Sequence, residues 1–278
     1  METSSGRSFG PADAARWIAV PGPDDDKYSR GVLGFATGSD SYPGAAVLGV
    51  EAALHTGVGM VRYLGTQRPT ALVLQRRPEV VTTDGRVQAW VVGSGQEAGP
   101  LDDAGVEARE RALADAVPVV IDAGALGRAA SATGTRVLVP HAGELARLLQ
   151  RDRADVLTAP AASALEAAER FRAVVLLKGH TTYVADAAGG LWEVACAPTW
   201  TATAGSGDAL AGVLGALLAT HALDLEADPG AAAPLAATAA VLHGLAAERA
   251  SGGGPFTVLQ LCAELPAVIR LLLQGRTR

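Results

Sequence analysis

Short, nearly continuous apolar runs recur along this chain, at residues 31–36, 58–64, 71–74, 89–92, 117–122, 136–139 and 174–177. A strand with one wet face alternates apolar and polar residues, whereas a strand buried on both faces has no polar position to offer. These runs are therefore read as strands of a parallel sheet covered on both sides. Stretches rich in Ala, Leu and Glu at 44–55, 106–116 and 143–150 lie between them with helical spacing. Strands that alternate with helices predict a mostly parallel sheet with a helical layer on each face. After Lys178 the pattern changes. Residues 181–185 and 191–195 flank Asp186-Ala187-Ala188-Gly189-Gly190 and predict a β-hairpin. Helices are expected at 208–220, 234–250 and 257–273, the last kinked or broken at Pro266.

No repeat or break in composition divides the chain, so its 278 residues are expected to form one domain. Residues 1–26 would be a solvated lead-in strand or loop, ending in the cluster Pro21-Gly22-Pro23-Asp24-Asp25-Asp26. With 49 % apolar and 19 % charged residues, the chain lies far from disordered composition. A net charge of −6 leaves no basic footprint for nucleic acid. Two cysteines, Cys196 and Cys262, exclude a disulfide framework and a cysteine-rich zinc site. The apolar runs are interrupted by glycine short of the ~20 residues that span a bilayer. The first fifteen residues lack the basic and apolar regions of an export signal. A soluble cytoplasmic enzyme without membrane or nucleic-acid partners is the expectation.

Six segments that follow predicted strands carry the residues suited to chemistry. Thr203-Ala204-Gly205-Ser206-Gly207-Asp208 precedes a helix, where converging N–H groups and the helix dipole favour an anion such as phosphate. Thr203 and Ser206 add hydroxyl donors, and Asp208 can serve as a base or as a helix cap. Lys178, Gly179, His180, Thr181 and Thr182 stand at the end of a buried strand, where open α/β sheets place ligands. His141 and Glu144, in Val139-Pro140-His141-Ala142-Gly143-Glu144, share a strand-end crevice. Tyr42-Pro43-Gly44-Ala45-Ala46 opens a helix that a flat ligand can approach closely. Gly93-Ser94-Gly95 and Asp122-Ala123-Gly124 complete the set. Each segment also has an ordinary structural reading, as a cap, a snorkelling lysine or a tight turn. In a parallel sheet, however, all six gather on one edge.

Taken in order, these segments resemble the NAD(P)H-hydrate dehydratase family of the ribokinase-like superfold. The resemblance covers about residues 27–270 and rests on SYPGAAVLGVEAALHTGVGMVRYLG, VVGSG, VPHAGELARLL, VVLLKGHTTYVAD and TATAGSGDALAGVLGALLA. It implies a ribokinase-like three-layer α/β/α sandwich that dehydrates the S-epimer of hydrated NADH or NADPH at the expense of ADP or ATP. It further implies that Asp208 is the catalytic base, and that Gly205, Ser206 and Gly207 hold the transferring phosphate. Lys178, Gly179, His180, Thr181 and Thr182 would bind the adenine nucleotide. Ala45, Gly95, His141 and Asp208 would line the hydrated dinucleotide. Magnesium would arrive with the nucleotide, with no direct protein ligand and Glu144 reached through water. A homo-oligomer, a tetramer in the fullest form, is also implied.

The resemblance has departures. Val139 and Ala142 stand where the family carries a threonine and a proline, and the segment at Asp122 ends in Gly127 rather than asparagine. The turn Gly93-Ser94-Gly95-Gln96-Glu97 has lost glycines and gained a carboxylate, and Asp26 replaces a histidine before Lys27. The phosphoryl-transfer end therefore keeps the pattern better than the dinucleotide end. Family members often carry a fused N-terminal epimerase domain, and in 278 residues none is expected beside the dehydratase domain. Two other readings stay open. One is a kinase of the same superfold acting on a thiazole or pyrimidine alcohol. The other is a nucleotide-binding scaffold without catalysis.

Overall fold

Six of the seven apolar runs pair side by side as two-sided burial requires. The computed structural model describes residues 6–96 and 101–276. From the N-terminus the chain runs through β1 (Arg7–Ser8), α1 (Pro11–Ala15), β2 (Val32–Ala36), α2 (Pro43–Thr56), β3 (Met60–Tyr63), α3 (Gln67–Arg76), β4 (Ala89–Val92) and α4 (Asp103–Ala114). Next come β5 (Val119–Ile121), a three-ten helix (Ala123–Ser131), β6 (Arg136–Leu138), α5 (Ala142–Leu149), α6 (Arg153–Thr158), α7 (Pro160–Phe171) and β7 (Val174–Leu177). The hairpin strands β8 (Thr182–Ala185) and β9 (Leu191–Val194) lead into α8 (Ser206–Thr220), α9 (Ala222–Ala227), α10 (Ala232–Ser251) and α11 (Val258–Gly275).

Among the described residues the strands form one nine-stranded sheet, ordered β1-β9-β8-β7-β6-β5-β4-β2-β3. β8 is antiparallel to β7 and β9. The other neighbours are parallel. Side chains of a strand point alternately to its two faces, and here both faces are apolar. Leu33, Phe35, Val91, Val120 and Leu176 join the residues of α2, α8, α10 and α11. Val32, Ala36, Val92, Ile121 and Val175 join those of α4, α5 and α7. Burying one such side chain stabilises the fold by about 1.5–3 kcal/mol. The three-layer arrangement expected from the alternation is therefore the one observed.

α2 and α8 pack closely because their contact is glycine on glycine. A Cβ on Gly212 would stand 2.1 Å from the Gly49 carbonyl oxygen, so only hydrogen fits there. This contact brings the N-terminal ends of α2 and α8 to the same edge of the sheet, beside the ends of β4, β5 and β7.

Several expectations need correction. Residues 71–74 are not a strand but part of α3, with Val73 buried and Leu72 and Leu74 exposed. A four-residue apolar run has no period of its own, and the polar residues flanking this one complete a helical turn. The lead-in is not wholly solvated: β1 pairs with β9, and Phe9, Ala14 and Ile18 are buried in the core. α11 continues through Pro266 without a break. The segment Pro229–Ser251 and the helix Val258–Gly275 are each long and apolar enough to cross a membrane by length and composition, contrary to the expectation that every apolar run is too short. The most apolar 18-residue stretch of the first is 83 % buried inside the fold and that of the second 28 %.

Candidate active site

In an open parallel sheet the crevice beyond the carboxyl ends of the strands is where loops and helix N-termini converge. Here that edge opens into a cavity of about 1200 Å³. This exceeds the ~300–1,000 Å³ usual for one small ligand. Its wall includes Ala45, Gly95, His141, Lys178, Gly179, His180 and Thr182, together with Gly205, Ser206, Gly207 and Asp208. The structure thus gathers these sequence-predicted residues in one place. Thr181 is half-buried and does not line the cavity. Glu97, singled out for its charge, lies outside the described residues.

The glycine loop is built by its backbone. Gly205 is the N-cap of α8 with φ +89°, a left-handed conformation that glycine adopts without steric cost. A Cβ there would also stand 2.4 Å from Leu48 Cδ1 on α2. Ser206, Gly207 and Asp208 are the first three residues of the helix, so Asp208 is not the cap that the sequence left open. The Asp208 carboxylate folds back over the loop, Oδ2 lying 3.9 Å from the position of a Gly205 Cβ.

Lys178 leaves the end of β7 and points across the sheet edge. Its Nζ donates to Asp122 Oδ1 at 2.8 Å and lies 3.8 Å from Glu144 Oε2. It also stands 3.4 Å from the position of a Gly207 Cβ, at the first turn of α8. Burial works against the charged ammonium, but the carboxylates of Asp122, Glu144 and Asp208 outweigh it and raise the lysine pKa. Asp122 is itself buried, and its second oxygen accepts from Ser94 Oγ at 2.9 Å. The chain turns sharply after Asp122 because Ala123 adopts φ +44°, a strained conformation for a residue with a Cβ.

His141 and Glu144 form a reciprocal cap at the start of α5. The imidazole Nδ1 accepts from the Gly143 and Glu144 amides, and Glu144 Oε2 accepts from the His141 amide at 2.7 Å. With Nδ1 an acceptor, the proton of the neutral ring is on Nε2, 3.6 Å from Glu144 Oε1. This cap holds Glu144 buried beside Lys178 rather than turned to solvent.

Sequence reasoning missed His243. It sits in α10, 37 residues from Ser206 in sequence, with its Nε2 3.1 Å from Ser206 Oγ and 3.0 Å from Ser206 O. Its sequence signal was a histidine in the middle of a mostly apolar helix. Ser94 was visible only as part of a glycine turn, and its bond to Asp122 had no signal at all.

The cavity's charge is unbalanced: one lysine faces the carboxylates of Asp122, Glu144 and Asp208. The positive potential at the helix start comes from backbone N–H groups rather than a basic cluster. A model of the NAD(P)H-hydrate dehydratase family matches residues 33–261. The chain belongs to this family. It is 45 % identical over 219 residues to the bifunctional NAD(P)H-hydrate repair enzyme of Mycobacterium tuberculosis, covering 74 % of this chain and 44 % of that enzyme. The chain thus spans about half the length of the first curated relatives it matches. It is 33 % identical over 275 residues to the ADP-dependent (S)-NAD(P)H-hydrate dehydratase of Neisseria meningitidis, covering 92 % of this chain and 89 % of that one. The Bacillus subtilis ADP/ATP-dependent dehydratase co-crystallised with ATP/Mg2+ superposes with a TM-score of 0.83 at 22 % identity, covering 97 % of this chain and all of that one. The expected fold is borne out by this likeness.

Proposed function

We propose that this chain removes water from the S-epimer of hydrated NADH or NADPH by phosphorylating its hydroxyl with ADP or ATP. The products are NAD(P)H, AMP or ADP, and phosphate. The observation that carries the reading is the meeting of a glycine-capped helix start, a charged lysine and Asp208 at one end of a cavity large enough for two ligands. The relative from Neisseria, named as an ADP-dependent dehydratase, supports the same chemistry.

In this reading the Asp208 carboxylate accepts the proton of the hydrate hydroxyl as its oxygen attacks the terminal phosphorus of the nucleotide. The Gly205, Ser206 and Gly207 segment presents N–H groups to the phosphoryl group in transit, where positioning and positive potential do most of the work. Lys178 lies between this loop and the Asp122 and Glu144 carboxylates, and Gly179, His180 and Thr182 follow it along the nucleotide. Ala45, Gly95 and His141 face the dinucleotide. Phosphate then leaves with its bonding electrons, the adjacent ring proton is lost, and the double bond of the reduced nicotinamide forms.

No group of three His, Cys, Asp or Glu side chains among the described residues is arranged to hold a metal ion. With Asp122 engaged by Lys178 and Ser94, the residues suit magnesium that arrives on phosphate oxygens, with Glu144 reached through water. Such an ion would offset phosphate charge in a cavity that has more carboxylates than cations. A cytoplasmic homo-oligomer, tested first as a tetramer, completes the proposal. The half-exposed Leu259 and exposed Leu271 on α11 are suited to a subunit contact.

The test is product analysis with hydrated NADH and ADP. Equal amounts of NADH, AMP and phosphate are expected. A stable phosphorylated organic product would favour the kinase reading. Nucleotide binding without turnover would favour a scaffold.

A further inference from the structure

His243 is not among the residues that sequence or family resemblance puts in the site, yet it touches the first residue of α8. Its Nε2 lies 3.0 Å from the Ser206 carbonyl oxygen, which can only accept. A proton on Nδ1 alone would set two lone pairs against each other at that distance, so Nε2 carries the proton. That N–H also faces Ser206 Oγ at 3.1 Å and is shared between the two oxygens. Burial holds the imidazole pKa down to about 4, keeping the ring neutral in this role. With its oxygen accepting from His243, the Ser206 hydroxyl keeps its own proton for another acceptor. Ser206 and His243 both line the cavity.

We propose that His243 is a positioning residue: it fixes Ser206 as a hydroxyl donor aimed into the cavity, adding a side-chain donor to the backbone N–H groups of the glycine loop. This rests on the reading of that loop as the phosphate-binding element. A serine hydroxyl without a fixed partner divides its time between donating and accepting. One whose lone pair is already engaged offers its hydrogen to an anion. The tether crosses from α10 to α8, so it also sets the rotation of the first turn of α8 against the core.

The experiment compares wild type, Ser206→Ala, His243→Leu, His243→Gln and the Ser206→Ala/His243→Leu double variant in the full chain. Affinity for inorganic phosphate is measured by calorimetry, and the imidazole tautomer by nitrogen NMR. The expected spectrum has the proton on Nε2 at neutral pH. Ser206→Ala and His243→Leu should each weaken phosphate binding about tenfold, the loss of one hydrogen bond to a charged group. The double variant should be no worse than either single one. His243→Gln, whose amide N–H reaches about as far as Nε2–H, should return to within about threefold of wild type. In turnover, His243→Leu should lower kcat and leave the KM for the hydrated dinucleotide unchanged. An Nδ1–H tautomer, additive losses in the double variant, or unchanged phosphate affinity in Ser206→Ala would overturn the proposal. Should His243→Leu fail to fold, the wild-type spectrum with Ser206→Ala and His243→Gln still decides. Phosphate binding needs no hydrated dinucleotide, so coupled phosphate effects without dehydration would sink the functional reading and leave this one standing.

Discussion

Asp208 and Lys178 are proposed to do different work, though the Asp208 carboxylate also helps to keep the lysine charged. Asp208 is the proposed base, so Asp208→Asn should cut turnover by about 10²–10⁴-fold while nucleotide binding survives. Steady-state kinetics beside a nucleotide titration checks this, and turnover within threefold of wild type would reduce Asp208 to a structural residue. Lys178 also holds the fold, because it neutralises Asp122 and Glu144 where both are buried. Removing one partner of a buried ion pair leaves an uncompensated charge and costs about 3–5 kcal/mol. Urea unfolding of Lys178→Met should show a loss of that size, and Asp122→Asn in the same chain should recover part of it. A Lys178→Met protein as stable as wild type would mean that water reaches the carboxylates. Asp208, Lys178 and Glu144 were legible in the sequence because each stands beside glycine at a strand or helix end. Ser94 and His243 were not, because their partners are made by packing between distant segments.

Among the elements, the alternation of two-sided strands with helices was readable because burial on both faces leaves an unbroken apolar run. The run at 71–74 misled because four apolar residues satisfy a strand and one helical turn equally well. α6 and α7 were passed over, since their alanines carry little apolar periodicity. The contact of α2 with α8 was visible only as glycines in two helices. Its consequence is testable. Gly212→Ala places a methyl group against the Gly49 carbonyl, where a Cβ would lie 2.1 Å from the oxygen. Overpacking of this kind costs about 1–3 kcal/mol, and because the same contact sets the α8 N-terminus, phosphate affinity should weaken along with stability. Denaturant unfolding and phosphate titration measure the two, and stability equal to wild type would show that the helices can part at no cost.

For the whole molecule, burial of titratable groups makes stability depend on acid. His243 is buried neutral, with its pKa held down to about 4 against an ordinary 6.5. The unfolded chain therefore binds a proton that the folded one refuses as pH falls from about 6.5 to about 4. Stability drops through that window by about 3 kcal/mol. Glu51 acts in the same sense at lower pH. Burial raises its pKa, but Arg77 and Arg76 outweigh this and hold it below the ordinary range. Its contribution is present above that range and is lost as pH falls through the folded value. Thermal unfolding of wild type and His243→Leu between pH 7 and 4 should show a flatter slope in the variant; parallel slopes would mean that the folded protein protonates this imidazole as readily as the unfolded chain does.

The most direct measurement follows the near-ultraviolet absorbance of reduced nicotinamide when hydrated NADH meets the protein with ADP, without ADP, and with ADP and the Asp208→Asn variant. Absorbance should return only with ADP and wild-type protein, in step with AMP and phosphate. Return without ADP, equal return with Asp208→Asn, or no return in the complete wild-type mixture would contradict phosphoryl-driven dehydration at the glycine loop.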